Sequence, residues 1–478
     1  MDAGLQIEKH GLPEHGAAED ESPMTKIAII GAGLSGRLLA MNLVQQGTSA
    51  LSIRMIDRGG ARYMGPAYSN EADYLLLNVP AAKMGAFSED PEHFLMWAQE
   101  RGVRAGRSDF LPRRLFRDYI VDLMREALQA RTSGPLFEHV CGEVTDIETE
   151  GGCATIHVEA EELFVVNKGI LALGNFPPRH PSIENRKALH SGRYVRDPWA
   201  PGVLAPLSRG DNVILIGSGQ TMVDLAVALY RREHKGRIIA LSRHGLPPLA
   251  HRGFESYESF FAEIKDPKRI LDIFRIVRKH LDRAKAMGID ERAVIDSLRP
   301  DTQTLWSGIP TDEKCRFLRH LFRYWEIIRS RIPPESEAII ARMRDSGQFT
   351  VIAGRIRNFV ETETALEVQY VPRGRTTQEV ERAALAINCI GPESNYSRVD
   401  QPLVRNLMER GLIRPGPANL GMDALPNGAV IGRDGRSSDV LYTLGSTMRG
   451  VLWEVIAVPE IRVQAERLAR LLVTGNFW

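Results

Sequence analysis

Apolar and polar positions along the chain switch between two periods, and the switches mark its elements. Lys26 is followed by Ile27-Ala-Ile-Ile30, an unbroken apolar run typical of a strand buried on both faces. The turn Gly31-Ala-Gly33-Leu34-Ser35-Gly36 comes next, and Leu38, Leu39, Leu43 and Val44 then recur at helical spacing. A second apolar strand over 51–56 ends in Asp57. A short apolar strand at 74–77 runs into Asn78-Val-Pro80-Ala-Ala-Lys83, a loop with an amide and a lysine. Helical patterns cover 91–100 and 112–130, and strand-like alternation over 136–166 reads as a β-meander. A buried strand then stops at Gly174. The opening pattern returns in Asn212-Val-Ile-Leu-Ile-Gly217-Ser-Gly219-Gln220-Thr221-Met222, followed by a strand over 237–241 that ends in Ser242-Arg243-His244. Helical spacing dominates 256–346, with Thr311 as an N-cap and Pro334 opening another helix. Strands are expected again at 349–353, 366–371 and 383–390, the last stopping at Gly391. Finally, 440–445 ends in Gly445-Ser-Thr-Met-Arg449-Gly450, leading into a helix whose N-terminus is expected at 450–453 and whose end lies near Leu472.

The two glycine turns carry the chemistry. Gly31 makes the tight exit from the strand, Gly33 lets the backbone touch a pyrophosphate, and Gly36 lets helix and strand pack closely. The helix N-terminus then presents unpaired N–H groups to the anion. Asp57 stands 21 residues after Gly36, where an acid accepts hydrogen bonds from the ribose of an adenosine. In the second turn Met222 replaces the third glycine, and Ser242 and Arg243 stand where the acid would be. A hydroxyl and a guanidinium suit a 2′-phosphate, which favours NADPH there.

At 478 residues the chain needs two or three domains, and 25% charged residues is ordinary for a globular protein. A net charge of +1 gives no electrostatic reason to expect nucleic acid or a membrane surface as partner. Cys141, Cys153, Cys315 and Cys389 form no C-x-x-C pair, which argues against a dithiol centre or a metal site and fits a reducing, cytoplasmic setting. No apolar run is long enough to span a bilayer. Residues 1–23 are polar and read as a disordered leader.

Two dinucleotide turns, two strands stopping at glycine and a terminal glycine-to-helix segment form one constellation. It resembles the two-dinucleotide-binding-domain flavoproteins, related to class B flavin monooxygenases and to the N-hydroxylating ornithine and lysine monooxygenases. The resemblance implies an α/β fold with two Rossmann-like domains, β-meanders and a helical insertion. It places an FAD-binding domain at 24–195 and 385–478, an NAD(P)H-binding domain at 196–250 and 347–384, and the insertion at 251–346. FAD would be held by Gly31, Gly33, Leu34, Ser35, Gly36, Asp57, Arg58, Asn78, Val144, Gly174, Gly445, Arg449 and Trp453. NADPH would be held by Gly217, Gly219, Gln220, Thr221 and Arg243. Lys83 and Asn78 would stand at the ring or substrate, as catalytic candidates. The implied activity is an FAD- and NADPH-dependent monooxygenase that hydroxylates a small molecule with O2 through a flavin hydroperoxide. An FAD-dependent NAD(P)H reductase or oxidase without oxygen insertion is the alternative, and a non-catalytic nucleotide-binding protein a third.

Overall fold

The computed structural model describes residues 24–59, 63–130, 134–159, 162–264 and 268–475. The expected leader at 1–23 lies outside the described residues. The first sheet has six strands in the order Ala429–Ile431, Ser437–Thr443, Lys168–Leu171, Thr25–Ile30, Leu51–Asp57 and Leu136–Cys141. All neighbours are parallel except the first hairpin, and Ile27, Ile29 and Ile53 at its centre are wholly buried. Burial on both faces explains the unbroken apolar run. The helix Leu34–Gln46 covers one face and packs against the terminal helix Val458–Thr474. The segment expected as meander divides: Leu136–Cys141 joins the main sheet, and Val144–Glu150, Cys153–Val158 and Glu162–Val166 form a separate antiparallel sheet.

The second sheet has seven strands, ordered Glu379–Ala383, Leu366–Pro372, Phe349–Glu361, Ile238–Ser242, Val213–Ile216, Leu385–Asn388 and Tyr194–Val195. Its long strand Phe349–Glu361 pairs parallel with Ile238–Ser242 through its first residues and antiparallel with Leu366–Pro372 through its last. The boundary expected at 384/385 moves, because Leu385–Asn388 pairs with Val213–Ile216 inside this sheet. Tyr194–Val195, expected in the first domain, pairs with the same strand.

The region 251–346 is helical, with Ile270–Ala286, Glu291–Ser297, Thr302–Gly308, Thr311–His320, Phe322–Arg329 and Pro334–Asp345. Thr311 is the first helical residue, after an N-cap at Pro310. One expectation fails at the chain's end. Helix runs only from Arg449 to Leu452, stops at Trp453 and restarts at Val458. Trp453 has φ +64° and ψ −73°, and the Glu454 N–H donates to the Leu452 carbonyl at 2.9 Å. That is a γ-turn of the strained hand, which a helix cannot cross. Among the described residues no helix is long and apolar enough to cross a membrane.

A buried ion pair joins the two sheets' domains. Arg113, at the start of the helix Arg113–Gln129, donates to both oxygens of Asp224 at 2.9 and 2.8 Å, and each side chain is 13% exposed. Burial outweighs the guanidinium and holds the Asp224 carboxyl above its usual range. Replacing Arg113 by Met therefore strands a buried carboxylate, at a cost of about 3 kcal/mol. A carboxyl with a raised folded-state pKa binds its proton more tightly folded than unfolded, so the loss grows as pH rises from 4 towards 8. Urea unfolding of R113M at those pH values is expected to show the gap from wild type widening with pH.

Candidate functional site

The first glycine turn is shaped by its own fold at two positions and open at the third. Gly31 has φ +108°, and a Cβ there would lie 2.4 Å from the Ala172 carbonyl oxygen. A Cβ on Gly36 would lie 2.0 Å from the Gly31 carbonyl oxygen. A Cβ on Gly33 would meet nothing within 4 Å. The space above Gly33 is a cradle of the kind a pyrophosphate needs, and no side chain caps the helix that starts behind it at Leu34. Asp57 closes the turn: its Oδ2 accepts from the Ala32 N–H at 2.9 Å, and its Oδ1 accepts from the Gly59 N–H at 2.6 Å. Arg37 braces it from beneath, donating from Nε to the Ala32 carbonyl at 2.8 Å and from Nη2 to the Tyr63 carbonyl at 3.2 Å. This buried arginine was not picked out from the sequence, since one arginine in a helix start carries no signal.

Other expected residues converge on the same cradle. Gly445 faces Ser35, whose Oγ would lie 2.5 Å from a Cβ at that position. Ser446 donates to the Gly174 carbonyl at 2.8 Å, and Gly174 itself, at φ +66°, borders open space. The Gly142 N–H donates to the Asp57 carbonyl at 3.0 Å, which brings the start of the strand Val144–Glu150 beside the ribose position. Val144 buries its side chain in the core there. Arg58 is largely exposed and reaches Glu143 at 3.4 Å.

Asn78 and Lys83 sit on a loop that the rest of the first domain holds down. The Ala81 N–H donates to the Asp109 carbonyl, and Lys83 lies exposed on the turn Ala81–Lys83. Arg462 of the terminal helix donates to the Gly85 carbonyl at 2.8 Å. The hydroxyl of Tyr119 accepts from the Ala86 N–H at 3.0 Å, while its ring packs with Phe94, Trp97 and Phe116. The loop that carries Asn78 and Lys83 is thus packed with the helices that follow it as one supported unit. No hydrogen bond joins it to Arg449 or Trp453 among the described residues. Those two lie against the insertion: the Trp453 ring stacks on Trp306 at 4.4 Å, and the Arg449 guanidinium lies 5.0 Å from the Trp453 ring and 5.4 Å from Phe322. Burial lowers the Arg449 pKa, opposed among the described residues by Glu326, which is bonded to Arg323 at 2.5 Å.

The second turn repeats the first. Gly217 has φ +120°, with the Cys389 carbonyl oxygen 2.5 Å from where a Cβ would be, and Gly219 borders open space. The helix Gln220–Arg231 behind it has no side-chain cap. Gln220 donates to the Arg331 carbonyl at 3.0 Å, and Thr221 is half-buried in the first turn. Ser242 is not free for a ligand in the way its position promised, since its hydroxyl bonds Ser218 at 2.8 Å and accepts from the Gly245 N–H at 3.0 Å. Arg243 has better company. Burial lowers its pKa, and Arg179, Arg355 and Arg323 push the same way, with no carboxylate opposing them. The side chains of Arg179, Arg243 and Arg355 have no hydrogen-bond or ion-pair partner among the described residues. Arg323, from the insertion, donates to the Ser218 carbonyl at 2.8 Å. Arg323 is already paired with Glu326, so the unpartnered positive charge beside this turn comes from Arg179, Arg243 and Arg355. Only Arg243 was visible in the sequence, because the others come from three distant segments.

Two sheets, each with a glycine turn, an open cradle and an uncapped helix, define a fold of two Rossmann-like dinucleotide-binding domains. Comparison with known proteins agrees. Residues 28–176 match a family model described as FAD-NAD(P)-binding. No curated protein matches the sequence. Among solved structures, ornithine hydroxylase from Pseudomonas aeruginosa is 16% identical at a TM-score of 0.61, over 94% of this chain and 99% of that one. An ornithine N-hydroxylase from Kutzneria sp. 744, solved with reduced FAD, NADP+ and L-ornithine, is 14% identical at 0.60, over 94% and 99%. The FAD-bound cadaverine monooxygenase from Erwinia amylovora is 13% identical at 0.62, over 95% of both chains.

Proposed function

We propose that the protein is an FAD- and NADPH-dependent monooxygenase that hydroxylates a small molecule with O2. The observation that carries this reading is the duplicated cradle. Gly31 abuts Ala172 below an open Gly33, and Gly217 abuts Cys389 below an open Gly219. One chain that builds the same anion seat twice is equipped for two nucleotides. The likeness to ornithine and cadaverine hydroxylases supports the choice of reaction.

In this reading Gly33, Leu34 and Ser35 present backbone N–H groups to the FAD pyrophosphate, and Asp57 receives the ribose hydroxyls on the lone pairs that the turn leaves free. Gly219, Gln220 and Thr221 do the same for NADPH, while Arg179, Arg243 and Arg355 neutralise its 2′-phosphate. The chemistry supplied by the bound pair is hydride delivery and oxygen activation. Asn78 and Lys83 orient ring or substrate from the first domain. Arg449, held between Phe322 and Trp453, offers positive charge to the ring edge or pocket wall. The insertion shields that region from water.

The test is direct. Purified protein reconstituted with FAD is expected to be yellow, to bleach under anaerobic NADPH much faster than under NADH, and to place labelled oxygen from O2 in a hydroxylated product. A protein that stays colourless after reconstitution would overturn the reading. Turnover of an electron acceptor with no labelled product would move it to a reductase.

A further inference from the structure

His251 lies where three parts of the chain meet. Its segment follows the loop after Ile238–Ser242 and enters the insertion. The Ile332 N–H donates to the Leu249 carbonyl at 3.0 Å, and the His251 N–H donates to the Ile332 carbonyl at 2.9 Å, so the two strips run as a short parallel bridge. The neighbouring residue, Arg331, accepts on its carbonyl from Gln220, the first residue of the second dinucleotide helix, at 3.0 Å. Arg331 is only 6% exposed and is fixed by a two-pronged pair with Asp296 at 3.0 and 2.6 Å. On the other side, the His251 ring reaches across to the first domain. Its Nε2 lies 3.0 Å from the Asn78 carbonyl oxygen, and the ring packs on Phe110 at 4.8 Å. Three hydrogen bonds, joined by the backbone at Arg331–Ile332 and through His251 itself, thus connect Gln220 at the second cradle with Asn78.

We infer that His251 is a positioning residue that holds the Asn78–Lys83 loop of the first domain in place relative to the second dinucleotide turn. The inference rests on the two-nucleotide reading above and gives part of the insertion a task within it. The first domain already ties down most of this loop, and the His251 bond adds its link to the second domain. Pro80 brings no N–H of its own, and the partly buried Asn78 carbonyl requires a donor. His251 supplies one from the opposite domain, and a carbonyl acceptor requires the tautomer with the proton on Nε2. The ring stays neutral while it does so. Burial, helped by Arg331 and Lys83 and opposed by the Asn78 carbonyl and Asp296, pushes its pKa down to about 4. The hydrogen bond is therefore unchanged throughout the neutral range, which separates this role from that of a general base.

Two measurements test the inference, one of them independent of flavin. In the full-length apoprotein, hydrogen exchange of backbone amides over 76–86 is expected to quicken about ten-fold in H251L and to stay near wild type in H251Q, whose amide also donates. In FAD-loaded protein, the limiting rate of anaerobic flavin reduction by NADPH is expected to fall about ten-fold in H251L. The Kd for NADPH stays within about two-fold, and H251Q recovers most of the rate. The rate is also expected to be flat between pH 5.5 and 8.5 in wild type and H251Q. Unchanged exchange in H251L overturns the inference, as does an H251Q as slow as H251L. A wild-type rate that follows a titration missing from H251Q would make His251 a base instead. Should H251L not fold, H251N replaces it, because its shorter amide cannot span to Asn78. If no flavin binds at all, the proposed function fails, yet the exchange measurement still decides what His251 does.

Discussion

G33A is expected to fold normally and to lose its flavin, whereas G31A and G36A are expected not to fold normally. The three glycines sit within six residues of each other, so the contrast is a sharp one. At Gly31 a methyl group meets the Ala172 carbonyl oxygen at 2.4 Å in a φ +108° conformation that side chains avoid. Strain and overpacking together cost about 4 kcal/mol there, a large fraction of a domain's stability. At Gly36 the obstacle is the Gly31 carbonyl oxygen at 2.0 Å, so helix and strand would have to separate. Gly33 differs in both respects. Its φ of −67° suits any residue, and a methyl would point into open space. The apoprotein should therefore melt within about 2 °C of wild type, by the usual scale of harmless substitutions. The methyl would occupy room the pyrophosphate needs, and forcing both in costs about 1–3 kcal/mol, or up to about a hundred-fold in FAD affinity. Thermal melts of the apoproteins and FAD titration by fluorescence measure the two halves. A G33A protein that keeps wild-type flavin affinity would remove the cradle from the account.

How much of this was legible in the residues depends on whether the cause was local. The strand, turn and helix at 26–46 could be read because Gly31 and Gly36 act on atoms a few residues away, and the repeat at 212–231 for the same reason. The closing contacts with Ala172 and Cys389 were half-visible, as strands that stop at glycine. The break at Trp453 was not. The run Gly450-Val-Leu-Trp453 has nothing in it that ends a helix. Its γ-turn is held from outside by the stack on Trp306 and by the Trp306 indole N–H, which donates to the Gly450 carbonyl at 2.8 Å. The strand Leu385–Asn388 was found, but its sheet was not, since an apolar strand reads the same whichever sheet it joins. Ser242 was read as a ligand group by position, and the fold spends its hydroxyl on Ser218 and Gly245. The role of His251 was not legible either, because its partner Asn78 lies 173 residues away.

The arginine cluster supports the second large expectation, that R243E will abolish the preference for NADPH while leaving NADH use intact. Arg243 directly follows the strand Ile238–Ser242, whose end lies against the second glycine turn, and is exposed. Its neighbours Arg179, Arg355 and Arg323 repel it, and burial already disfavours its charge. Such an arrangement costs folding energy unless an anion repays it. A 2′-phosphate carries that charge, and NADH lacks it. A charge-assisted hydrogen bond is worth about 2 kcal/mol, so R243A should raise the NADPH KM about thirty-fold. R243E adds repulsion to the loss, and about a hundred-fold is expected. R179A and R355A should each have a smaller effect in the same direction, because the remaining guanidinium groups still share the phosphate. Removing one repelling arginine from an unliganded cluster also predicts that apo R243A melts slightly higher than apo wild type, while NADPH stabilises it less. Melting curves with and without each nucleotide therefore test the cluster before any substrate is known. Equal stabilisation of wild type by NADH and NADPH, with R243A unchanged from both, would show that these arginines face some other anion.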